Sequence, residues 1–321
     1  MRFDIVKCHG SGNDFPLIDA RGIELTDHEW AAVARALADR RGPVGGDGLL
    51  LLLPGTSGAA FAMSMRNSDG SEAETCLNGL RCVARLGFAA IGVTAAVVGL
   101  KMSTARVERA ADVATGVYGV RETAGPASLD SSAWPADLGP AVRDRGQLVD
   151  AAIPALGSER RFTAVAMPNP HLITFVDAID ECELVALGER CEAAPAWLPQ
   201  RANVSFVRLL GRDRLFVRTF ERGVGLTDSC GSAMAASTYA ACLTGRARFG
   251  SQLTVTNRGG LVKAAASEDA MVTIVGNATW EWDGSVEVDL AQEIAGSLAV
   301  TRHYNDEIAA WAAVADAACA G

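Results

Sequence analysis

Two distant segments share one pattern, and that doubling constrains the fold more than any other feature of the chain. His9-Gly10-Ser11-Gly12-Asn13-Asp14-Phe15-Pro16-Leu17-Ile18-Asp19-Ala20 is echoed by Met167-Pro168-Asn169-Pro170-His171-Leu172-Ile173-Thr174-Phe175-Val176-Asp177-Ala178. Each sets an Asn in a turn bounded by Gly or Pro, then runs an apolar strand to Asp-Ala. A cysteine follows at matching distance: Cys76 lies 63 positions after Asn13, and Cys230 lies 61 after Asn169. The segments after the cysteines, 78–90 and Gly231–Leu243, are rich in Ala, Leu, Cys and Met with few charges, which predicts helices buried on nearly all sides. Short β-branched stretches at 161–165, 172–176, Asn203–Leu209, 215–220, 253–256 and 271–275 predict strands. The expected class is α+β: two pseudo-symmetric domains, each a curved, mostly antiparallel sheet wrapped around one central helix.

The first domain is expected over residues 1–116 plus 279–321 and the second over 117–278, with the crossover in the Ala/Asp/Gly/Pro/Ser-rich segment 110–150. Beyond about residue 289 the tail turns helical, with Ile308, Trp311, Ala312 and Ala315 at helical spacing. It packs on one domain, and a homodimer contact is the sharper alternative.

Bulk properties exclude several classes. At 321 residues the chain can bury two cores. A net charge of −9 opposes a nucleic-acid partner, whose phosphates need a basic face. The apolar run 86–100 is 15 residues long, short of the ~18 that suggest a membrane span. A buried helix end, a turn at Gly92 and a buried strand account for it. No signal peptide is read at the amino terminus, so the eight cysteines are expected as reduced thiols of a cytoplasmic protein. They sit at 8, 76, 82, 182, 191, 230, 242 and 319, with no C-x-x-C pair, and only four histidines exist. No metal site is expected.

The chemistry concentrates at Cys76 and Cys230. A thiol at a helix N-terminus has its thiolate favoured by unpaired N–H groups and the helix dipole. Two thiols in matching contexts suggest a base facing an acid across one carbon, an arrangement that inverts a stereocentre. Asn is scarce, yet five of eight (13, 67, 78, 169, 203) fall at motif-like turns or strand starts. Amides both donate and accept, so several together suit a zwitterionic amino-acid head, although a single Asn more often serves its turn. Arg222, beside Glu221, has the planar fork for a carboxylate, with a structural Glu–Arg pair as the plain alternative. The glycine-rich 42–48 lacks the Lys-Ser/Thr of a phosphate loop and reads as a tight turn or close backbone approach.

From about residue 3 to 288 the chain resembles the diaminopimelate epimerases, cofactor-independent amino-acid epimerases and racemases. The carriers are His9-Gly10-x-Gly12-Asn13-Asp14-Phe15, Asn67-x-Asp69-Gly70-Ser71-Glu72, Cys76-x-Asn78-Gly79-x-Arg81-Cys82, Asn169-Pro170-His171, Glu221-Arg222-Gly223 and Cys230-Gly231-Ser232. The resemblance implies that Cys76 and Cys230 are the acid–base pair in a cleft between the domains. It implies that Asn13, Asn67, Asn169, Asn203, Glu221 and Arg222 contact substrate, and that the backbone at Leu77-Asn78 and Gly231-Ser232 holds the reacting carboxylate. It further implies interconversion of LL- and meso-diaminopimelate, in lysine and cell-wall precursor biosynthesis, without pyridoxal phosphate or any other cofactor. The chain departs from the family pattern at Leu77 and Ala233, where Gly is common, at Leu226, where Glu is frequent, and at Gly48, where some members have Gln. The backbone N–H survives at Leu77. The alternatives are a racemase of another amino acid on the same scaffold and, in another class, a thiol redox protein or a non-catalytic amino-acid binder.

Overall fold

The computed structural model describes residues 1–73, 76–130, 136–140, 142, 146–167 and 169–319, without the side chain of Cys319. Glu74, Thr75 and Pro168 of the motifs lie outside the described residues. The chain divides into two compact units, Met1–Glu122 with Val275–Asp316, and Thr123–Ile274 with Ala317–Gly321.

The first unit runs β1 (Arg2–Gly10), β2 (Asn13–Asp19), α1 (Asp27–Ala38), β3 (Gly48–Thr56), β4 (Ala59–Asn67), α2 (Leu77–Ile91), β5 (Ala95–Gly99), β6 (Thr104–Arg109) and β7 (Gly119–Ala124). The second runs β8 (Ala151–Ala152), β9 (Arg161–Met167), β10 (Asn169–Phe175), α3 (Glu181–Glu192), β11 (Asn203–Leu209), β12 (Arg214–Glu221), β13 (Gly225–Thr227), α4 (Gly231–Leu243), β14 (Leu253–Asn257) and β15 (Gly260–Ala266). The chain then passes through β16 (Val272–Asn277) and returns to the first unit as β17 (Thr279–Asp289), β18 (Ile294–His303) and α5 (Asn305–Cys319).

Strand pairing turns the sequence echo into topology. In the first unit β1 and β2 form an antiparallel hairpin, β2 and β3 pair in parallel across α1, β3 and β4 are antiparallel, β4 and β5 are parallel across α2, and β5 and β6 are antiparallel. In the second, β9 and β10 form the hairpin, β10 and β11 are parallel across α3, β11 and β12 are antiparallel, β12 and β14 are parallel across α4, and β14 and β15 are antiparallel. The two halves are one pattern used twice. It makes Asn13 and Asn169 equivalent as first residues of β2 and β10, and Cys76 and Cys230 equivalent before α2 and α4. The same alignment matches Gly48 with Asn203, the first residues of β3 and β11, and Asn67 with Glu221, the last residues of β4 and β12.

Each sheet wraps its helix because that helix is apolar on most sides. α2 touches β1 to β6, and α4 touches β9, β10, β11, β12, β14 and β15. In α4 burial extends from Gly231 through Cys242 with Ser232 alone half-buried. α2 differs: its first two turns are buried, but Ala89, Ala90 and Ile91 are exposed beyond the last sheet contact. The run 86–100 is therefore not a buried element throughout. Gly92 does end the helix, in a left-handed cap, but β5 then keeps only Val98 and Gly99 buried.

The tail also departs from expectation. Its first part is a strand, β18, held by antiparallel pairing with β17 from Trp282↔His303 to Asp289↔Ile294. Helix follows only from Asn305, and its buried face is Trp311, Val314 and Ala318, whereas Ile308 and Ala312 are exposed. Within the first unit the helix is tied to α2 by Glu307, which accepts two hydrogen bonds from Arg85 at 2.6 and 2.7 Å. The Trp311 ring lies 5.5 Å from that of His9.

Candidate active site

Each cysteine sits at the same place in its repeat. Cys76 is the N-cap of α2 with φ −137 and ψ 103, and Cys230 is the N-cap of α4 with φ −133 and ψ 106. Their carbonyls accept the first helical hydrogen bonds, from Leu80 at 2.9 Å and Met234 at 3.0 Å. An N-cap side chain points at the unpaired N–H groups of the first turn, where a sulfur gains most from the dipole. A cysteine is a rare choice for a cap, and two in equivalent positions point to chemistry.

In the first unit the Cys76 sulfur accepts the Gly79 N–H at 3.3 Å and donates towards Asn13 Oδ1 at 3.8 Å. Asn13 arrives there because the β1–β2 turn runs hard against the start of α2. A Cβ on Gly10 would stand 2.6 Å from the Asn78 carbonyl oxygen, so only glycine permits the approach. Asn78 is buried; its Nδ2 donates to Asn13 Oδ1 at 3.5 Å, and its Oδ1 accepts from Arg81 Nη2 at 2.7 Å. Arg81 and Glu122 form a fully buried ion pair at 2.6 Å, and Arg81 also reaches Ser11 and the Asn277 carbonyl. Burial pushes the Glu122 carboxyl up to about 7, against the pull of Arg81. Leu77 is buried directly after the cap, and its side chain points away from solvent. Asn67 ends β4 opposite Gly48 and spends its amide on Ser71 Oγ at 3.0 Å. A narrow pocket against Cys76 is lined by Met63, Met65, Glu72, Leu80 and Lys101.

In the second unit the surroundings of the thiol are different. Cys230 is buried, and burial drives its pKa well above the ordinary thiol value. The Glu221 carboxylate raises it further by charge and by hydrogen bonding. The Ser232 hydroxyl, 3.5 Å away, and the Ala233 N–H oppose this. The Ala233 N–H leans towards the sulfur without closing a capping hydrogen bond. Glu221 is itself oriented by Thr227 Oγ1 at 2.6 Å. Asn203, buried, accepts the Arg222 backbone N–H at 2.9 Å, and its Nδ2 has no partner. Asn169 is held by His171 Nε2 at 3.0 Å. Burial, with Arg222 adding to it, lowers the His171 pKa to about 3, so the ring is neutral. The Arg222 guanidinium gives one N–H to the Gln200 carbonyl at 3.2 Å.

The expected residues thus gather within each unit. Asn13, Cys76, Leu77 and Asn78 meet in the first; in the second, Glu221 and Ser232 stand at Cys230 before Gly231 opens α4, Asn203 holds the Arg222 N–H, and Asn169 is held by His171. Asn67 is the exception, since its amide is engaged by its own turn. The sequence assigns no role to Asp47, Glu122 or Thr227, and Arg81 enters there only as part of a motif. Arg81 carried a signal in the Asn78-Gly79-x-Arg81 spacing, because i, i+3 residues share a helix face. Among the described residues no group of three or more His, Cys, Asp or Glu is placed to hold a metal ion, and no helix is long and apolar enough to cross a membrane.

Comparison with known proteins adds independent findings. The family model described as diaminopimelate epimerase matches residues 5–111 and 163–281. A diaminopimelate epimerase of Clostridium acetobutylicum is 37% identical over 295 residues, covering 90% of this chain and 87% of that protein. One from Enterococcus faecalis is 39% identical over 284 residues, covering 85% and 86%. Among solved structures, a phenazine biosynthesis protein of the PhzF family from Bacillus anthracis aligns over 90% of this chain and 100% of that one, with a TM-score of 0.64 at 14% identity. A hydroxyproline epimerase from Agrobacterium vitis aligns over 90% and 92%, with a TM-score of 0.62 at 14% identity. At such identities the structural likeness speaks for the fold, two sheet-wrapped helices in pseudo-symmetric halves.

Proposed function

The chain belongs to the diaminopimelate epimerase family, and we propose that it interconverts LL- and meso-diaminopimelate with Cys76 and Cys230 as the acid–base pair. The carrying observation is the pair of N-cap cysteines with the same backbone conformation in equivalent positions of two repeats. The enzyme is an isomerase independent of pyridoxal phosphate. One thiolate removes the α-proton while the other thiol delivers a proton to the opposite face, and reversing direction exchanges the roles. This requires both thiols to face one α-carbon from opposite sides.

The surroundings support an assignment of states. Cys230, buried beside Glu221, is held as the thiol and is ready to donate. The Cys76 sulfur accepts an N–H from the first turn of α2, an interaction that strengthens as the sulfur gains negative charge. The carbanion needs its carboxylate neutralised. The N–H groups that open α2 and α4, at Leu77-Asn78 and Gly231-Ser232, are donors that need not reorganise, each such donor being worth ~10²–10³ in rate. Asn13, Asn67, Asn169, Asn203, Glu221 and Arg222 are read as substrate contacts. They exceed what one amino-acid head requires, which suits a substrate with a second zwitterionic head, Arg222 taking its carboxylate. A small-molecule enzyme of this kind suits the reducing cytoplasm; the seven cysteines with described side chains are free thiols. The place of this reaction is lysine and cell-wall precursor biosynthesis.

The test is incubation with LL-diaminopimelate in deuterated water, following optical rotation and α-deuterium together. Conversion to the meso form with one solvent deuterium at the inverted carbon is expected. Lysine, lacking the distal carboxylate, should turn over slower by ~10⁴-fold or more. Equal turnover of lysine would replace this reading with a racemase of wider specificity.

A further inference from the structure

Two side-chain amides lie between charged groups of opposite sign in the first unit, and those charges fix which way each amide points. At one end Arg81, anchored by the buried Glu122, can only donate, so Asn78 turns its oxygen to Arg81. The Asn78 NH₂ then faces Asn13. At the other end Asp47 can only accept, and Asn13 gives it its NH₂. Both constraints agree: Asn13 presents a carbonyl oxygen towards Cys76, at 3.8 Å from the sulfur. An acceptor there holds the proton on the thiol, while the Gly79 N–H on the same sulfur favours its loss.

We infer that Asp47 and Arg81 are positioning residues, which set the Asn13 amide so that Cys76 is offered an acceptor on one side and a donor on the other. This deepens the reading of Cys76 as an acid–base group and rests on it. A group that must be base in one direction and acid in the other needs both states within reach, and a reversed Asn13 would replace the acceptor it offers the sulfur with a donor.

Other charges near Cys76 are Glu72 and Lys101, which line the pocket against it and pair at 2.9 Å. Arg40 and Asp14 reach Cys76 only through Asp47, since Arg40 Nη2 bridges Asp14 and Asp47 at 2.7 Å to each. Glu74 lies outside the described residues.

The geometry of Arg40 separates orientation from simple charge. Asp47→Ala and Asp47→Asn both remove the carboxylate. In Asp47→Asn the single remaining oxygen is contested by the Arg40 guanidinium, at 2.7 Å, and by the Asp14 N–H, at 3.2 Å on the oxygen that also takes Asn13. The charged donor holds it, so an NH₂ turns towards Asn13 and reverses it. The experiment is the pH dependence of Cys76 alkylation by iodoacetamide on the full chain, with the modified peptide identified by mass spectrometry. Both midpoints should fall below that of the unsubstituted protein, and Asp47→Asn should fall further than Asp47→Ala by about half a pH unit or more. Equal shifts would make the effect Coulombic and overturn the inference, as would no shift. Asp47 is 40% exposed, so both variants should keep the fold, which a thermal melt checks. Alkylation needs no turnover. A chain that shows the shift but fails to epimerise diaminopimelate would sink the functional reading and leave the wiring of Cys76 standing.

Discussion

Cys76 and Cys230 share a backbone position and differ in almost everything around it. Both cap a central helix, with φ and ψ agreeing within a few degrees. Yet Cys76 is half-buried and hydrogen-bonded by Gly79, whereas Cys230 is buried beside a carboxylate. The strand starts differ in the same sense. The second half carries Asn203, whose oxygen holds the Arg222 N–H, and the first half carries Gly48, with no side chain there. Gly48 is not interchangeable with Asn: a Cβ would lie 2.2 Å from the Arg66 carbonyl oxygen across the β3–β4 pair. The repeat puts both thiols at one backbone position, and unlike neighbours give each its own surroundings. In a two-base reaction one sulfur starts charged and the other neutral, and the two exchange states when the direction reverses, so the unlike surroundings bias the pair without fixing it.

The comparison breaks most visibly at the thiols. Cys76→Ala and Cys230→Ala should each lower kcat/KM by ~10³-fold or more in both directions, because neither partner replaces the other's proton transfer. Cys182→Ala, at an exposed position, should leave it within twofold of the starting value. Near-normal turnover in either active-site variant would end the two-base reading.

Exchange at the strand starts gives a smaller and unequal effect. Asn203→Gly removes the acceptor of the Arg222 N–H and should cost ~10–100-fold in kcat/KM, consistent with the ~1–3 kcal/mol of a buried polar partner lost. Gly48→Asn should instead appear as lost stability of ~1–3 kcal/mol in denaturant unfolding, from overpacking against Arg66. If Gly48→Asn were neutral for stability, the two positions would be less different than the packing implies.

The smallest effect is electrostatic. His9 is lowered to about 4, by burial first and by Lys7 and Arg81 as well, and His171 is lowered to about 3. Both rings should stay neutral down to pH 5 in an NMR titration of the folded protein. The sign for stability follows: above pH 6.5 neither ring matters. As pH falls below it, the unfolded chain binds about two protons that the folded chain refuses, and stability drops. Glu122, pushed up to about 7, works in the opposite sense, binding a proton in the folded state as pH falls through 7. These three groups leave a net loss of about one proton, or ~1.4 kcal/mol per pH unit at most, between pH 6 and 5. A ring that titrates near 6.5 would show that its half of the molecule is more open than its burial indicates.

Much of the half-sites was legible in the residues. The turn-Asn-strand echo and the equal spacing to Cys76 and Cys230 expose the repeat directly, since each repeat keeps its turn and cap chemistry. The apolar segments after the cysteines mark the central helices. Local pattern could not separate α2 from α4 in burial, because the exposure of Ala89, Ala90 and Ile91 depends on where the sheet stops. It also missed β18, whose strand state comes from pairing with β17 rather than from its own composition.

The amino-acid sequence by itself determined the doubled α+β architecture, the two capping thiols and the inventory of amides around them. These depend on period, spacing and cap preference, which act over a few residues. Only the tertiary structure decided that Asn203 stands where Gly48 stands in the other half, and that Glu221 presses on Cys230. It also decided that Arg81 and Asp47 point the amides beside Cys76. Those outcomes rest on contacts between residues far apart in the chain and on burial, which changes the energy of a charge or a thiol without changing the sequence near it.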